Sequence, residues 1–476
     1  MDSRPSCDAL CSLHCVSTAS LSSPFPELYS NGVPSDSQHA IISHSIQRAK
    51  EDLARVEAEI ATLKAQRAEL DKFIRDHTGM LSAMRRFPNE IFGEIFSRCV
   101  DPDAAFDPLR NDVWILARVC QRWRAVALDI PKLWRHFVLR GICCPRLLKP
   151  FLKVQLDRAR STPLSIRLLS RPPLDGMDVF LDVPAQWEEV QFRDAHLLRF
   201  LSGQSHFSRL TRLEITSYSP LLEGQTGIIN MVDSLPALEH LQLNLGFKLF
   251  PRQLLLPWSQ LGTCILSGLR ALDILWILSL VSKDTHVSIT DLGHGLELVT
   301  RRSPIRSVQI ARSNSLHTHA LLRAMTLPNL EKLEISWDEG PDISQAVISL
   351  LDRSACRLRH LRLPRASCFE LLFSTLNSPH ARDIVQLDIP HVPGLTHISS
   401  LLAMLSENGE LVPHLRTLAI RADSRNIEAL NWNVLKLLAD RKPTMRRLSF
   451  KLWGWDFQER ERDSMDTGLE VVVLEG

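Results

Sequence analysis

One apolar spacing recurs along the C-terminal part of the chain and restricts its fold more than any other feature. It is a large apolar residue, another three positions on, and a third two positions after that. Copies fall at Trp187-Val190-Phe192, Leu210-Leu213-Ile215, Leu238-Leu241-Leu243, Leu269-Leu272-Ile274, Ile305-Val308-Ile310, Leu330-Leu333-Ile335, Leu358-Leu361-Leu363, Ile384-Leu387-Ile389, Leu415-Leu418-Ile420 and Met445-Leu448-Phe450. Their intervals, about 23 to 36 residues, are those of a repeat architecture. Within each copy the last two apolar residues alternate with polar ones, as a half-buried strand requires. Leucine-rich stretches such as Leu401 to Leu405 and Val434 to Leu438 supply return helices. One strand and one helix cannot bury their own apolar faces, so the copies must stack into a curved solenoid with a parallel sheet lining one side. The run Val471-Val472-Val473-Leu474 supplies a closing strand at the exposed end.

Residues 1–40 are rich in Ser and Pro and poor in large apolar residues, a composition that cannot offset the entropy of ordering, so disorder is expected there. Further on, Ile46, Leu53, Ile60 and Ile74 fall on a seven-residue spacing, and Ala49, Val56, Leu63 and Leu70 fill the complementary position. That is an a/d heptad seam. Glu51, Arg55, Glu57, Glu59 and Lys64 make the remaining surface charged, while Arg67 occupies an a position and weakens the seam. The spacing predicts a short coiled-coil helix over 44–78 that either dimerises the protein or stays a single helix, folded back on the segment that follows or standing in solvent, four heptads being marginal alone.

Residues 84–138 read as three short helices with more apolar surface than so small a unit can bury. The first opens at Pro88 and sets Ile91, Phe92, Ile95, Phe96 and Cys99 along one broad stripe. The second carries Leu116, Val119, Cys120 and Trp123 on one face at i, i+3, i+4 and i+7. The third begins at Asp129-Ile130-Pro131, with Asp129 as cap and Pro131 in the first turn, and delivers Leu133 and Trp134. The pattern Phe87-Pro88-x-Glu90-Ile91, followed by Val119-Cys120-Gln121-Arg122-Trp123-Arg124 and Leu133-Trp134, resembles the F-box over about 50 residues of the 476. Phe87 stands where that family usually has Leu, and the link from Asp101 to Asp112 is longer and more acidic than its usual turn. Long acidic links with a short coiled coil upstream resemble the F-box variants common in mushroom-forming fungi. The C-terminal copies are similar to leucine-rich repeats in a degenerate form, since the Asn or Cys that usually follows the strand is largely absent. The expected architecture is thus a mainly α N-terminal part (coiled-coil helix plus three-helix F-box), then an α/β leucine-rich-repeat solenoid over 150–476.

The resemblance implies a Skp1-like adaptor as partner, bound through Pro88, Ile91, Ile95, Phe96, Leu116, Val119, Cys120, Trp123, Leu133 and Trp134. Through that adaptor it implies a cullin, with an unknown protein substrate held by the repeats. The chain then reads as the substrate-recognition subunit of an SCF (Skp1–cullin–F-box) ubiquitin ligase serving ubiquitin-dependent degradation. The alternative is a cullin-independent interaction scaffold dimerised by the coiled coil. Strand alternation sends Arg362, Arg421, Arg447 and Lys451 to the face opposite the buried leucines, and the last two repeats lean basic, which suits an acidic or phosphorylated segment.

Composition narrows the remaining classes. Fifty-six basic against 54 acidic residues leave a net charge of +2, without the basic excess that phosphate recognition needs, so no nucleic-acid partner is expected. The most apolar window, Leu261 to Val281, contains Arg270 and Asp273, each costing about 2.5–3.5 kcal/mol at a bilayer centre, and therefore reads as buried core rather than membrane span. The ten cysteines lie mostly in apolar settings, no Asn-x-Ser/Thr acceptor is present, and the N-terminal residues never assemble a signal-length apolar core. A cytoplasmic or nuclear location is expected. Cys7, Cys11, His14 and Cys15 cluster without the two paired ligand sets of a zinc site, so no metal or cofactor is expected. Phosphate-loop, His-Glu-x-x-His and nucleophile-elbow motifs are all missing, which makes the chain a non-enzyme on this reading.

Overall fold

The computed structural model describes residues 32–140, 145–169, 178–194, 198, 206–217, 228–246, 251–293, 299–312, 315–336, 344–362, 369–392, 395–408, 410–422, 447–452 and 470–475. Two compact units divide the chain at 91/92. In the first, helix α1 (Asp36–Leu81) runs for 46 residues. It starts ahead of the expected 44 because Ser35 and Gln38 close a capping box, the Gln38 amide donating to Ser35 Oγ and the Ser35 amide to Gln38 Oε1. Residues 36–40, expected to be disordered, are therefore helical, and the Cys7 to Cys15 cluster lies outside the described residues. No residue of α1 is buried, and Ile46, Leu53, Ile60, Leu63 and Leu70 are 44–64% exposed.

In the second unit one fourteen-stranded sheet carries the fold, every strand parallel to its neighbours. The strands run strictly in chain order: β1 (His136–Leu139), β2 (Leu164–Leu168), β3 (Trp187–Phe192), β4 (Arg212–Thr216), β5 (His240–Asn244), β6 (Thr263–Ser267) and β7 (His286–Thr290). They continue through β8 (Ser307–Ala311), β9 (Lys332–Ser336), β10 (His360–Arg362), β11 (Gln386–Val392), β12 (Thr417–Ala422), β13 (Arg447–Leu452) and β14 (Glu470–Glu475). Equivalent apolar positions pair directly, as in Leu213 with Leu241, Leu241 with Cys264, and Leu333 with Leu361. Each of these side chains is at most 1% exposed, so period-2 alternation builds a continuous ladder of buried leucines. The backbone joins this stacking just ahead of the strands. The carbonyls of Thr211, Glu239, Arg306, Glu331, Arg359 and Val385 each accept from amides of the next repeat.

Helices return the chain between the later strands: α2 (Asn89–Cys99), α3 (Asp112–Val119), α4 (Gln121–Asp129) and α5 (Pro145–Ala159) precede β2, then come α6 (Ala271–Leu278), α7 (Ser315–Ala324), α8 (Ser344–Ser354), α9 (Phe369–Asn377) and α10 (Leu395–Glu407). Leu401 and Leu405 of α10 are buried as expected of a return helix, whereas Val434 to Leu438 lie outside the described residues. The copy at Leu269-Leu272-Ile274 is not a strand. It falls on α6, because i and i+3 are also neighbours on a helix, and Leu272 is left 41% exposed. Strands β6 and β7 flank it, built on Cys264 with Leu266 and on Val287 with Ile289. Arg270 and Asp273 stand at the start of α6, Arg270 Nε donating to Asp273 Oδ2 at 2.9 Å, so the window that reads as core is core with its charge paired. Burial pushes the Cys264 thiol up to about 12 and the Cys356 thiol up to about 11, as befits cysteines acting as core hydrophobes. No helix among the described residues is long and apolar enough to cross a membrane.

Candidate functional site

The three-helix segment divides its apolar residues between a private core and an open face. Phe92 and Phe96 of α2 point inward, at most 1% exposed, and their rings meet Trp123 at 5.7 and 5.1 Å between centroids. Gly93 lies between them because a Cβ there would come within 2.7 Å of Ile130 Cδ1. Phe96, Leu133 and Trp134, expected on the docking face, are instead core residues at 0–4% exposure. The stripe on α2 is wider than the surface that α4 and the Pro131–Trp134 turn leave open, so its inner half is consumed internally.

Continuous helix across Leu116 to Trp123 is also corrected. α3 stops at Val119, Cys120 adopts an extended conformation at φ −158°, and its Sγ accepts from the Trp123 amide at 3.4 Å to cap α4. Asp129 ends α4 rather than capping the last turn, which starts from Ile130 without a side-chain cap. The break turns the end of α3 outward. Val119 is 55% exposed, and Ile115 one turn earlier is 43% exposed. Cys120 is also exposed, while Ile95, Leu116 and Trp123 are half-buried. Pro88, just before α2, and Ile91, in its first turn, are exposed. Ile115 is the residue sequence reading missed; its i, i+4 spacing to Val119 is the signal that would have found it.

The acidic link is anchored rather than loose. Asp101 and Asn111 hold its ends through Asp112 Oδ2 and the Val113 amide, and Phe106 is buried with its amide bonded to the Val138 carbonyl of β1 at 2.7 Å. Asp103 pairs with Arg167 of β2. Trp114 Nε1 donates to Gln155 of α5, which in turn donates to the His136 carbonyl. Arg158 of α5 lies over both Trp114 and Trp134, at 4.5 and 4.4 Å. One hydrophobic core consequently runs unbroken from Phe92 to Ile420.

His136 marks this junction. Among the described residues its buried Nδ1 has no hydrogen-bond partner, and burial, then the neighbouring Arg135 charge, lower its pKa against a smaller opposing pull from Glu189. His286 in the sheet is lowered too, first by burial and then by Lys332. A histidine whose folded pKa is depressed holds fewer protons folded than unfolded, so stability is full above the unfolded value of 6.5 and falls as pH drops through it. We expect the melting temperature to fall between pH 7 and pH 5.5, and to fall less in His136→Gln.

On the sheet face opposite the leucine ladder, a cavity of about 530 Å³ spans β2 to β6, lined by Arg167, Glu189, Gln191, Arg212, Glu214 and His240 among others. Gln191 and Gln242 both donate to Glu214. Farther along, Lys332 pairs with Glu334 at 2.8 Å, and His360 Nε2 lies 3.5 and 3.4 Å from Glu334 and Asp388. Burial alone would raise the Asp388 pKa, but hydrogen bonds with His360 and Gln386 and the charges of His360 and Arg362 bring it below the ordinary value. Arg362 is half-buried and in register between Glu334 and Asp388, so it belongs to a balanced cluster rather than a basic patch. Arg421 is in register with Lys451, and Arg447 with Glu470, an acid in β14 that the basic reading of this end did not count. Among the described residues no group of three or more His, Cys, Asp or Glu is placed to hold a metal ion.

Comparison with known proteins places an F-box-like domain at residues 84–140. No curated protein matches the chain. The matched span takes in α2, α3, α4 and the whole of β1.

Proposed function

We propose that the chain is the substrate-recognition subunit of an SCF-type ubiquitin ligase, docking a Skp1-like adaptor through the α2–α4 segment and holding a protein substrate on the sheet. The observation that carries the first half is the open apolar face at Ile115 and Val119, beside half-buried Leu116 and Trp123, within a span that matches a family whose members typically bind Skp1. An exposed apolar set of this kind on a well-packed support marks an interaction surface. Phe96, Leu133 and Trp134 act beneath it as framework, and Ile115 joins the contact set.

For the second half, the in-register ladder supports a leucine-rich-repeat solenoid, and the β2–β6 cavity supports a substrate groove nearer the docking module than strands β12 and β13. Its mixed lining of Arg212, Glu189 and Glu214 suits a segment carrying both charges. The chain contributes no catalytic group on this reading. It acts by raising the concentration of substrate beside a ubiquitin-charged enzyme.

Val119→Asp tests the docking face. The side chain is more than half exposed, so the fold survives, while a charge in a desolvated contact weakens adaptor binding by about thirtyfold. Unchanged affinity for a purified Skp1-type adaptor in interferometry removes the assignment. Cullin co-purifying with the intact chain separates a ligase receptor from a cullin-independent scaffold.

A further inference from the structure

We infer that α1 pairs with α1 of a second copy in antiparallel orientation, its dyad lying near Thr62. The inference rests on α1 alone and stands or falls independently of adaptor docking. A 46-residue helix with no buried residue leaves its whole seam uncovered. The choice of partner and direction comes from the heptad flanks. With Ile46, Leu53 and Ile60 at a and Val56, Leu63 and Leu70 at d, the e positions are Lys50, Glu57, Lys64 and Asp71.

An antiparallel pair brings e against e. The register that sets Ile60 against Leu63 and Leu53 against Leu70 of the second copy also sets Lys50 against Asp71 and Glu57 against Lys64. Every e contact is then attractive, and each occurs twice. The same register carries the seam to both ends, with Ile42 facing Leu81, and places Arg67 against Val56, where its long stem covers an apolar neighbour and its charge reaches solvent. Sliding one heptad in one direction matches Lys50 with Lys64 and Glu57 with itself; sliding in the other matches Glu57 with Asp71 and Lys64 with itself. A parallel pair stacks Arg67 on Arg67 inside the seam and sets Asp52 against Glu57, with only Glu59 against Lys64 in compensation. Of these arrangements only the first makes every e contact attractive.

A charge swap reads the direction. The intact chain sediments as a dimer of twice 54.0 kDa. Asp71→Lys raises the dimer dissociation constant about tenfold, and adding Lys50→Asp restores it to within about twofold. Rescue cannot arise within one helix, because positions 50 and 71 are about 31 Å apart along the axis. In a parallel dimer position 71 faces Gln66, so Asp71→Lys acts only through Arg67 of its own helix, 3.7 Å away, and Lys50→Asp does not rescue it. Ile60→Asp with Leu63→Asp yields a monomer. A chain monomeric at all concentrations, a dimer that survives the double aspartate variant, or one insensitive to Asp71→Lys or not rescued by Lys50→Asp overturns the inference.

Discussion

Trp134→Ala lowers the stability of the chain by about 4 kcal/mol, measured as a shift of the denaturant midpoint at constant slope. The indole is fully buried, meets Trp114 edge-on at 5.6 Å between centroids, and has the Arg158 guanidinium over its ring. Its Nε1 donates to the Ala127 carbonyl at 2.8 Å, so truncation leaves a cavity and a buried carbonyl without its donor. Trp134→Phe separates the two losses, since it keeps most of the volume and forfeits only the hydrogen bond, at about 1 kcal/mol. Because Trp134 joins α4 to α5, the proposed adaptor docking would weaken as well, although none of the residues assigned to it has changed. A Trp134→Ala protein as stable as the parent removes this residue from the framework.

Arg270→Ala costs about 3 kcal/mol, although the residue is partly exposed, because it strands a carboxylate that is not. Asp273 is 2% exposed and its nearest cation after Arg270 is Arg252, at 3.8 Å and itself 55% exposed. Its place in the first turn of α6 offers Asp273 some compensation from the helix dipole. Replacing both members, Arg270→Leu with Asp273→Leu, costs less than the single change, since no unpaired charge remains. Urea denaturation of the three variants measures the difference. Additive losses would show that the two side chains act separately.

What could be read before the structure was the ladder, and the reason is physical. In copies such as Leu330-Leu333-Ile335 all three positions are large, aliphatic and buried, so the spacing survives in the sequence. Strands β2 and β7 escaped notice because Pro163 and Asp284 stand where the leading leucine would be, and β6 because Cys264 fills its central position. These sites need only a side chain that fits the stack, and burial tolerates several. The F-box-like segment was legible as a module, but which of its residues form an open face was not. Helical periodicity shows that Phe92, Ile95 and Phe96 share a face, yet which of them faces the core depends on where α4 packs, and that is tertiary information. The break at Cys120 was hidden for the same reason, since its i, i+3, i+4, i+7 context imitates a single helix.

Strand β1 closes the F-box-like span and also forms the first rung of the sheet, which makes strand number a measure of reach. Each further strand adds about 4.8 Å along the hydrogen-bonding direction, with an unbroken ladder and no linker to absorb the difference. A contact on β3 and one on β10 lie seven rungs apart as measured from the F-box-like segment. If the sheet holds a substrate as proposed, adding or deleting a single repeat ahead of the contacting strands would change which part of that substrate falls within range, with the contact surface and the F-box-like segment both unaltered.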